Sequence, residues 1–481
     1  MKKYLNYIAG KWAPPEAGRY YATYNPARPA ELLGEFPSST KCDVEAAVQA
    51  AEAVSPAWAE TPGPKRGALL FRFAQLLEER KTELAKIITL EQGKALGESI
   101  GEVSRAIVEA QFMAGEAARI CGQTFPSERA GISCYTVQEP LGVVAAICPW
   151  NFPVVTPVRK LAPALAYGNA VVFKPASLTP WSALYVTQLF EAAGFPAGVL
   201  NLVIGSGSAI GDVLVADRRI GGITFTGSTE TGTRLYEAAA RRLAAVQLEL
   251  GGKNPAVVVD CDDLEGAARE IVSAAFLCSG QRCTALSRVI VAEEQADALV
   301  KNIRLHVDRI NVGDGMLENT TMGPLASKAQ FETVHHYVRQ GIESGLTLVV
   351  GGQPLTDRPD VDGYYFAPTV FDQVGPDSPL ADEEIFGPVL PILRVRNAEE
   401  AISVANATRY GLAASLFTSR SDLISRFLAQ VKVGMIHVNH GTASQAHVPF
   451  GGKKDSGVGA FSIGPTTKDF YTSTKTIYAK W

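Results

Sequence analysis

The chain has 481 residues, more than one hydrophobic core usually organises, so two or more domains are expected. With 47% hydrophobic and 20% charged residues it sits in the ordinary globular range, which excludes disordered, fibrous and disulfide-scaffold classes. Acids outnumber bases 49 to 45 and no segment is dense enough in Lys and Arg to track a phosphate backbone, so nucleic acid is not an expected partner.

Lys2 and Lys3 have no apolar stretch behind them, and no later run approaches the roughly 18 apolar residues of a membrane span. A soluble, cytoplasmic protein without membrane contact is expected, and an odd set of seven scattered cysteines suits reduced thiols. From Asp43 to Glu60 and from Gly63 to Gly101, apolar residues recur at helical spacing, as at Leu69, Phe73, Leu76 and Leu77. After Pro140 the texture changes to short apolar runs: Val143 to Ile147, Ala170 to Phe173, Val199 to Ile204 and Gly222 to Phe225. Helical stretches such as Trp181 to Ala193 separate several of them, which reads as a doubly wound parallel sheet buried on both faces. Pro255 to Val259, Val289 to Val291, Leu346 to Val350 and Val389 to Leu393 suggest a second α/β unit. Ile132 to Val137 and Tyr471 to Tyr478 read as isolated strands that need a partner edge, an expected oligomerising arm.

Chemistry-bearing residues cluster at the ends of these runs. Cys278 and Cys283 flank Ser279-Gly280-Gln281-Arg282. Cys283 follows a cation at a turn expected to enter a helix, a setting that favours thiolate, while Cys278 is read as structural. Thirty-four residues upstream, Glu249 lies between Leu248 and Leu250 before Gly251-Gly252. Burial there would raise its pKa towards the range of a general base, and a salt-bridged acid at a strand end is the other reading. Asn151, in Pro149-Trp150-Asn151-Phe152-Pro153 after the first strand, is placed to donate an amide N–H to a substrate oxygen, or is a turn residue. Lys174 and Ser177 follow the second strand, where ribose or phosphate would sit. The glycine loop with Gly205, Gly207 and Gly211 departs from the dinucleotide fingerprint, whereas Thr226-Gly227-Ser228-Thr229-Glu230-Thr231 leads from a strand into a helix whose free N–H groups suit a pyrophosphate. Six histidines show no metal-ligand spacing, so no metal is expected.

Together with Lys174-Pro175-Ala176, Phe225-Thr226-Gly227-Ser228, Gly280-Gln281-Arg282-Cys283 and Glu384-Ile385-Phe386-Gly387-Pro388, these motifs resemble, in order and over essentially the whole chain, the aldehyde dehydrogenase superfamily. The resemblance implies two Rossmann-like doubly wound domains and a strand arm. Residues 1–121 and 141–247 would bind NADP or NAD, 248–439 would carry catalysis, and 122–140 with 440–481 would make a homodimer or homotetramer. It further implies Cys283 as nucleophile, Glu249 as base and Asn151 as oxyanion donor. Ile147, Pro149, Trp150, Lys174, Ser177, Gly207, Gly211, Thr226, Gly227, Ser228, Thr231, Leu250, Glu384 and Phe386 would contact the cofactor. Where NAD-preferring members often carry Glu, this chain has Ser177, so NADP is expected to be accepted. Arg159 stands where members acting on carboxylated semialdehydes often have Arg, and Phe152 and Arg282 complete the expected substrate contacts. A second Arg of succinic-semialdehyde-type pockets is Leu277 here, and the terminal pattern resembles the branch acting on 2-oxoglutarate semialdehyde. The alternatives are a broad-specificity or CoA-acylating dehydrogenase, and a non-catalytic structural protein on the same fold.

Overall fold

A computed structural model describes residues 2–355 and 362–481; Met1 and residues 356–361 lie outside it. The two helical runs of the N-terminal third resolve into four helices, Lys41–Glu60, Gly63–Glu79, Lys81–Gln92 and Leu96–Glu116. Gly93 ends the third in the left-handed region (φ 99°), which a residue without a Cβ enters at little cost.

Each apolar run after Pro140 becomes a strand of one eight-stranded sheet. Its centre is parallel, in the order Ala245–Glu249, Ile220–Thr226, Val143–Ile147, Ala170–Lys174, Leu200–Leu202. Gly457–Val458 adds an antiparallel strand at one edge, and Asn6–Ile8 followed by Lys11–Ala13 adds two at the other. Alternation along the strands divides the core between two faces. Val144 and Ala146 pack with Leu70, Phe73, Val103 and Leu161, whereas Val143, Ala145 and Ile147 pack with Val44, Val48, Leu214 and Leu235.

The second α/β unit is a seven-stranded sheet in the order Thr347–Val350, Thr369–Asp372, Val389–Val395, Leu286–Ala292, Asn254–Val258, Ala413–Phe417, Met435–Val438. All neighbours are parallel except Thr347–Val350, which runs antiparallel at the edge. The strands at Ile132–Pro140 and Thr472–Lys480 pair with each other antiparallel through nine residue pairs. A hairpin of Tyr20–Asn25 and Arg28–Pro37 was not legible in the sequence, because Pro26, Pro29 and Gly34 interrupt its alternation. No helix among the described residues is long and apolar enough to cross a membrane, and no group of three or more His, Cys, Asp or Glu there could hold a metal ion.

Candidate active site

Numbered along the chain, the parallel strands of the first sheet lie in the order 5-4-1-2-3, so the winding direction reverses between Val143–Ile147 and Ile220–Thr226. A crevice opens at the carboxyl ends of strands at such a reversal. The segments Pro149 to Phe152 and Thr226 to Ser228 leave the sheet on either side of it. The second sheet faces this crevice with its amino ends. Gly251 to Lys253 leads into Asn254–Val258, Cys283 precedes Leu286–Ala292, and Phe386 precedes Val389–Val395.

Between the two sheets lies a cavity of about 780 Å³, lined by Pro149, Trp150, Asn151, Phe152, Arg159, Thr226, Gly227, Ser228, Glu249, Leu250, Arg282, Cys283, Glu384 and Phe386. Ile147, Lys174, Ser177, Gly207, Gly211 and Thr231 are outside this lining, with Ile147 and Lys174 register partners at the ends of adjacent strands.

Cys283 does not enter a helix. The helix Leu264–Phe276 is followed by a single tight turn, Leu277–Gly280, in which Cys278, Ser279 and Gly280 take φ of 56°, 56° and 71°. A Cβ on Gly280 would lie 2.2 Å from the Gly387 carbonyl oxygen, so only glycine fits. The next residues form a turn feeding Leu286–Ala292, fixed by Asn254 Nδ2 donating to the carbonyls of Cys283 and Ala285 (both 2.8 Å). With no helix N-terminus beneath it, the thiol is not held as thiolate. Burial pushes it up to about 11, the Glu249 and Glu384 carboxylates act in the same direction, and Arg159 and Arg282 oppose them. Burial pushes Cys278 up to about 11 as well. Access separates the two: Cys278 is 2% exposed, whereas Cys283 is half-buried.

Asn151 is buried, and its Nδ2 donates to the Gln281 carbonyl two residues before Cys283 (2.9 Å). Sequence reasoning did not find what holds it there. Lys94 Nζ donates to the Asn151 carbonyl (2.6 Å), sits 3.9 Å from the Phe152 ring centre and pairs with Glu102 at 2.7 Å. Glu102 Oε1 in turn accepts the N–H groups of Val154 and Val155 (2.8 and 3.1 Å), where helix Val155–Ala166 begins and an anion is favoured. Both charges are fully buried, so removing one leaves the other uncompensated at about 3–5 kcal/mol. Lys94→Met should therefore lower the melting temperature by several degrees and slow turnover. Lys94→Met/Glu102→Leu should recover most of the stability but not the rate; a double variant as unstable as the single would show that the pair is not what holds the loop.

Glu249 ends its strand opposite Thr226 and Gly457. Its Oε1 accepts the Ser462 N–H at 3.4 Å, while Oε2 is buried with no hydrogen-bond partner. A buried carboxylate oxygen without a donor calls for a reason, and a water to be activated is one. Burial raises this carboxyl to about 7 against the pull of Lys160 and Arg159. Lys160, itself buried and donating to Thr224 Oγ1 (2.9 Å), is depressed by that burial to about 8.

Glu384 Oε1 accepts the Gly252 N–H (2.9 Å), and its carboxyl is pushed up to about 7 by burial. A Cβ on Gly251 would lie 2.1 Å from Glu384 Oε2, so the Gly-Gly pair gives Glu384 its place. Phe386 meets Trp150 edge-on, ring centres 5.5 Å apart. Ser228 caps the helix Thr229–Ala240 by accepting from the Thr231 N–H, and donates to Thr231 Oγ1 at 3.0 Å. Ser177 Oγ donates to the Gly205 carbonyl (3.1 Å), ahead of a wide helical turn at Gly207–Gly211 whose first and last glycines have open space where a Cβ would be. Arg159 Nε and Nη2 clasp Glu109 at 3.2 and 2.7 Å, with the guanidinium over the Phe450 ring, and Arg282 Nη2 donates to Thr442 Oγ1 (2.8 Å).

Residues 12–477 match the model of the aldehyde dehydrogenase family. The chain is 40% identical over 478 residues to the alpha-ketoglutaric semialdehyde dehydrogenase of Bacillus subtilis (strain 168), covering 99% of this chain and 98% of that protein. Its fold superposes on an NADP-dependent enzyme of E. coli with a TM-score of 0.96 at 34% identity, covering 100% of this chain and 98% of the other. It superposes equally on the NAD+ complex of an aldehyde dehydrogenase from Bacillus cereus (TM-score 0.96, 36% identity, 100% and 97% covered). A match of this extent, on a chain whose Asn151, Glu249 and Cys283 meet in one crevice, leaves a single assignment: the protein belongs to the aldehyde dehydrogenase family.

Proposed function

We propose that this aldehyde dehydrogenase oxidises a small carboxylated semialdehyde, such as 2-oxoglutarate semialdehyde, to the carboxylic acid with NADP or NAD. The observation that carries the reading is the convergence of a half-buried thiol, an amide donor and a carboxyl raised to about 7 on one cavity. The semialdehyde is supported by the name of the Bacillus subtilis relative and by the guanidinium groups of Arg105, Arg159 and Arg282 among the residues that line the cavity.

The groups present fit a dinucleotide. Glu384 lines the cavity, and among the described residues its Oε2 has no hydrogen bond, which leaves an acceptor for ribose hydroxyls. Lys174 Nζ, buried and depressed to about 8 by that burial, makes one hydrogen bond, to the Pro175 carbonyl, and keeps donors for a phosphate. When bound, the dinucleotide would supply the acceptor for the hydride.

Cys283 Sγ, once deprotonated, attacks the aldehyde carbon, and the oxyanion formed is held by Asn151 Nδ2 with a main-chain N–H. Loss of hydride from that carbon leaves a thioester on Cys283. Glu249 then takes a proton from water; the hydroxide adds to the thioester carbon, the C–S bond breaks, and the acid leaves as the thiolate is restored. Pairing of the strands Ile132–Pro140 and Thr472–Lys480 supports the arm of residues 122–140 and 440–481 as the seat of a homodimer or homotetramer.

The test is turnover of the purified protein on carboxylated and uncharged aldehydes with each cofactor, with and without CoA. Faster turnover of carboxylated semialdehydes, independent of CoA, is expected; formation of an acyl-CoA product would replace hydrolysis by acyl transfer. Ser177→Glu should lower the NADP to NAD ratio of kcat/KM by about tenfold or more, because like charges about 4 Å apart cost up to ~4 kcal/mol at an effective dielectric of 20. An unchanged ratio would mean that Ser177 does not face the ribose.

A further inference from the structure

We infer that Arg105, rather than Arg159, receives the substrate's carboxylate. Four cations line the cavity: Lys94, Arg105, Arg159 and Arg282. Lys94 is committed to Glu102 and the Asn151 carbonyl, and Arg159 presents its fork to Glu109. Arg282 has given one nitrogen to the Thr442 hydroxyl. Arg105 is half-buried, and among the described residues it has neither a carboxylate within 4.0 Å nor a hydrogen-bond partner. It is the guanidinium in this cavity whose whole planar fork is open to a second carboxylate.

The helix that carries it is shaped around that opening. Gly97, Gly101 and Arg105 succeed one another at four-residue steps on the cavity side of Leu96–Glu116, about 6 Å apart along the axis. A Cβ at Gly97 or Gly101 would meet nothing within 4 Å. Beside Glu98 and Glu102, two successive positions one turn apart therefore present bare backbone to the cavity, and the next presents a cation. Long helical side chains lean back towards the N-terminus, which carries Arg105 over Gly101. The bare stretch leaves room for the methylene chain of a semialdehyde, with a charge-matched group at its edge. The acids of this helix that line the same cavity are engaged elsewhere: Glu102 pairs with Lys94 and accepts the N–H groups of Val154 and Val155, and Glu98 accepts the N–H groups of Cys278 and Ala95.

This assignment rests on the carboxylated-semialdehyde reading, and the experiment separates the two. KM and kcat are measured for succinic semialdehyde and for butanal, its uncharged equal in chain length, with the wild type, Arg105→Leu, Arg105→Lys and Arg159→Leu, each with a melting curve. In Arg105→Leu, KM for succinic semialdehyde should rise about 10- to 100-fold more than KM for butanal, with kcat for the two moving together. Arg105→Lys should show a smaller version of the same split. Arg159→Leu, which strands Glu109, should melt earlier and hurt both substrates alike. A wild type that does not prefer the acidic aldehyde overturns the semialdehyde reading and Arg105 with it. A wild-type preference that survives in Arg105→Leu, or that disappears in Arg159→Leu instead, overturns Arg105 alone. If Arg105→Leu melts early, the substrate split in Arg105→Lys decides: its presence supports the assignment and its absence ends it.

Discussion

Cys283→Ala should lower kcat by on the order of 10⁴-fold or more while leaving cofactor affinity within about threefold, because the proposed nucleophile is lost and the proposed nucleotide crevice is not. Cys278→Ala should keep most of the activity and lose some stability, since that thiol is packed at 2% exposure beneath the loop. Rates of reduced-cofactor formation and equilibrium cofactor titrations of both variants check this, and a dead Cys278→Ala beside an active Cys283→Ala would move the nucleophile. The same site makes a prediction about alkylation. With the thiol raised to about 11 by burial and by neighbouring carboxylates, iodoacetamide should react slowly with the cofactor-free protein at neutral pH and faster as pH rises. Glu249→Gln removes one of those carboxylates, lowers the thiol pKa and should speed alkylation at any given pH below it.

Glu249→Gln should separate the two halves of the reaction. The amide keeps the shape of the side chain but takes no proton from water, so one equivalent of reduced cofactor per site should appear in a burst, followed by a steady state slower by about 10²- to 10⁴-fold. The pH profile carries the sign. The proposed base would act when ionised, and burial raises its carboxyl to about 7, so wild-type kcat should fall as pH drops below about 7. That limb should be missing in the variant. Loss of the burst itself would place Glu249 in acylation.

Much of this arrangement was legible in the sequence because its units are local. Val143 to Ile147 is apolar at every position and becomes a strand buried on both faces. Asn151 and Glu249 lie at strand ends, where a parallel sheet puts its ligands. Cys283 was singled out by its neighbours, but the expectation of a helix beneath it failed. Whether a turn feeds a helix or a strand depends on Asn254, twenty-nine residues earlier, which takes both carbonyls that follow the turn's bend. The Lys94–Glu102 pair and the clasp of Glu109 on Arg159 were equally invisible. A Lys between two helices or a Glu on one reads as a solvated charge until tertiary packing removes the water around it. Arg105 differs from its helical neighbours only in the two glycines that precede it by whole turns, a pattern without meaning until that face is seen to open on a cavity.

Glu249 is seated by parts of the chain made long after it. Gly457–Val458 closes its strand, the Leu250 N–H donates to the Ser456 carbonyl, and the amide on Glu249 Oε1 belongs to Ser462, 213 positions downstream. A ribosome-bound polypeptide extending to residue 450 already includes Cys283, Asn151 and Arg105, yet lacks every one of these supports for the base. On the proposed mechanism, the residues of acylation are thus synthesised before the supports of the hydrolytic base. A product truncated before Ser456 would keep the proposed nucleophile and lose all three contacts that seat the proposed base.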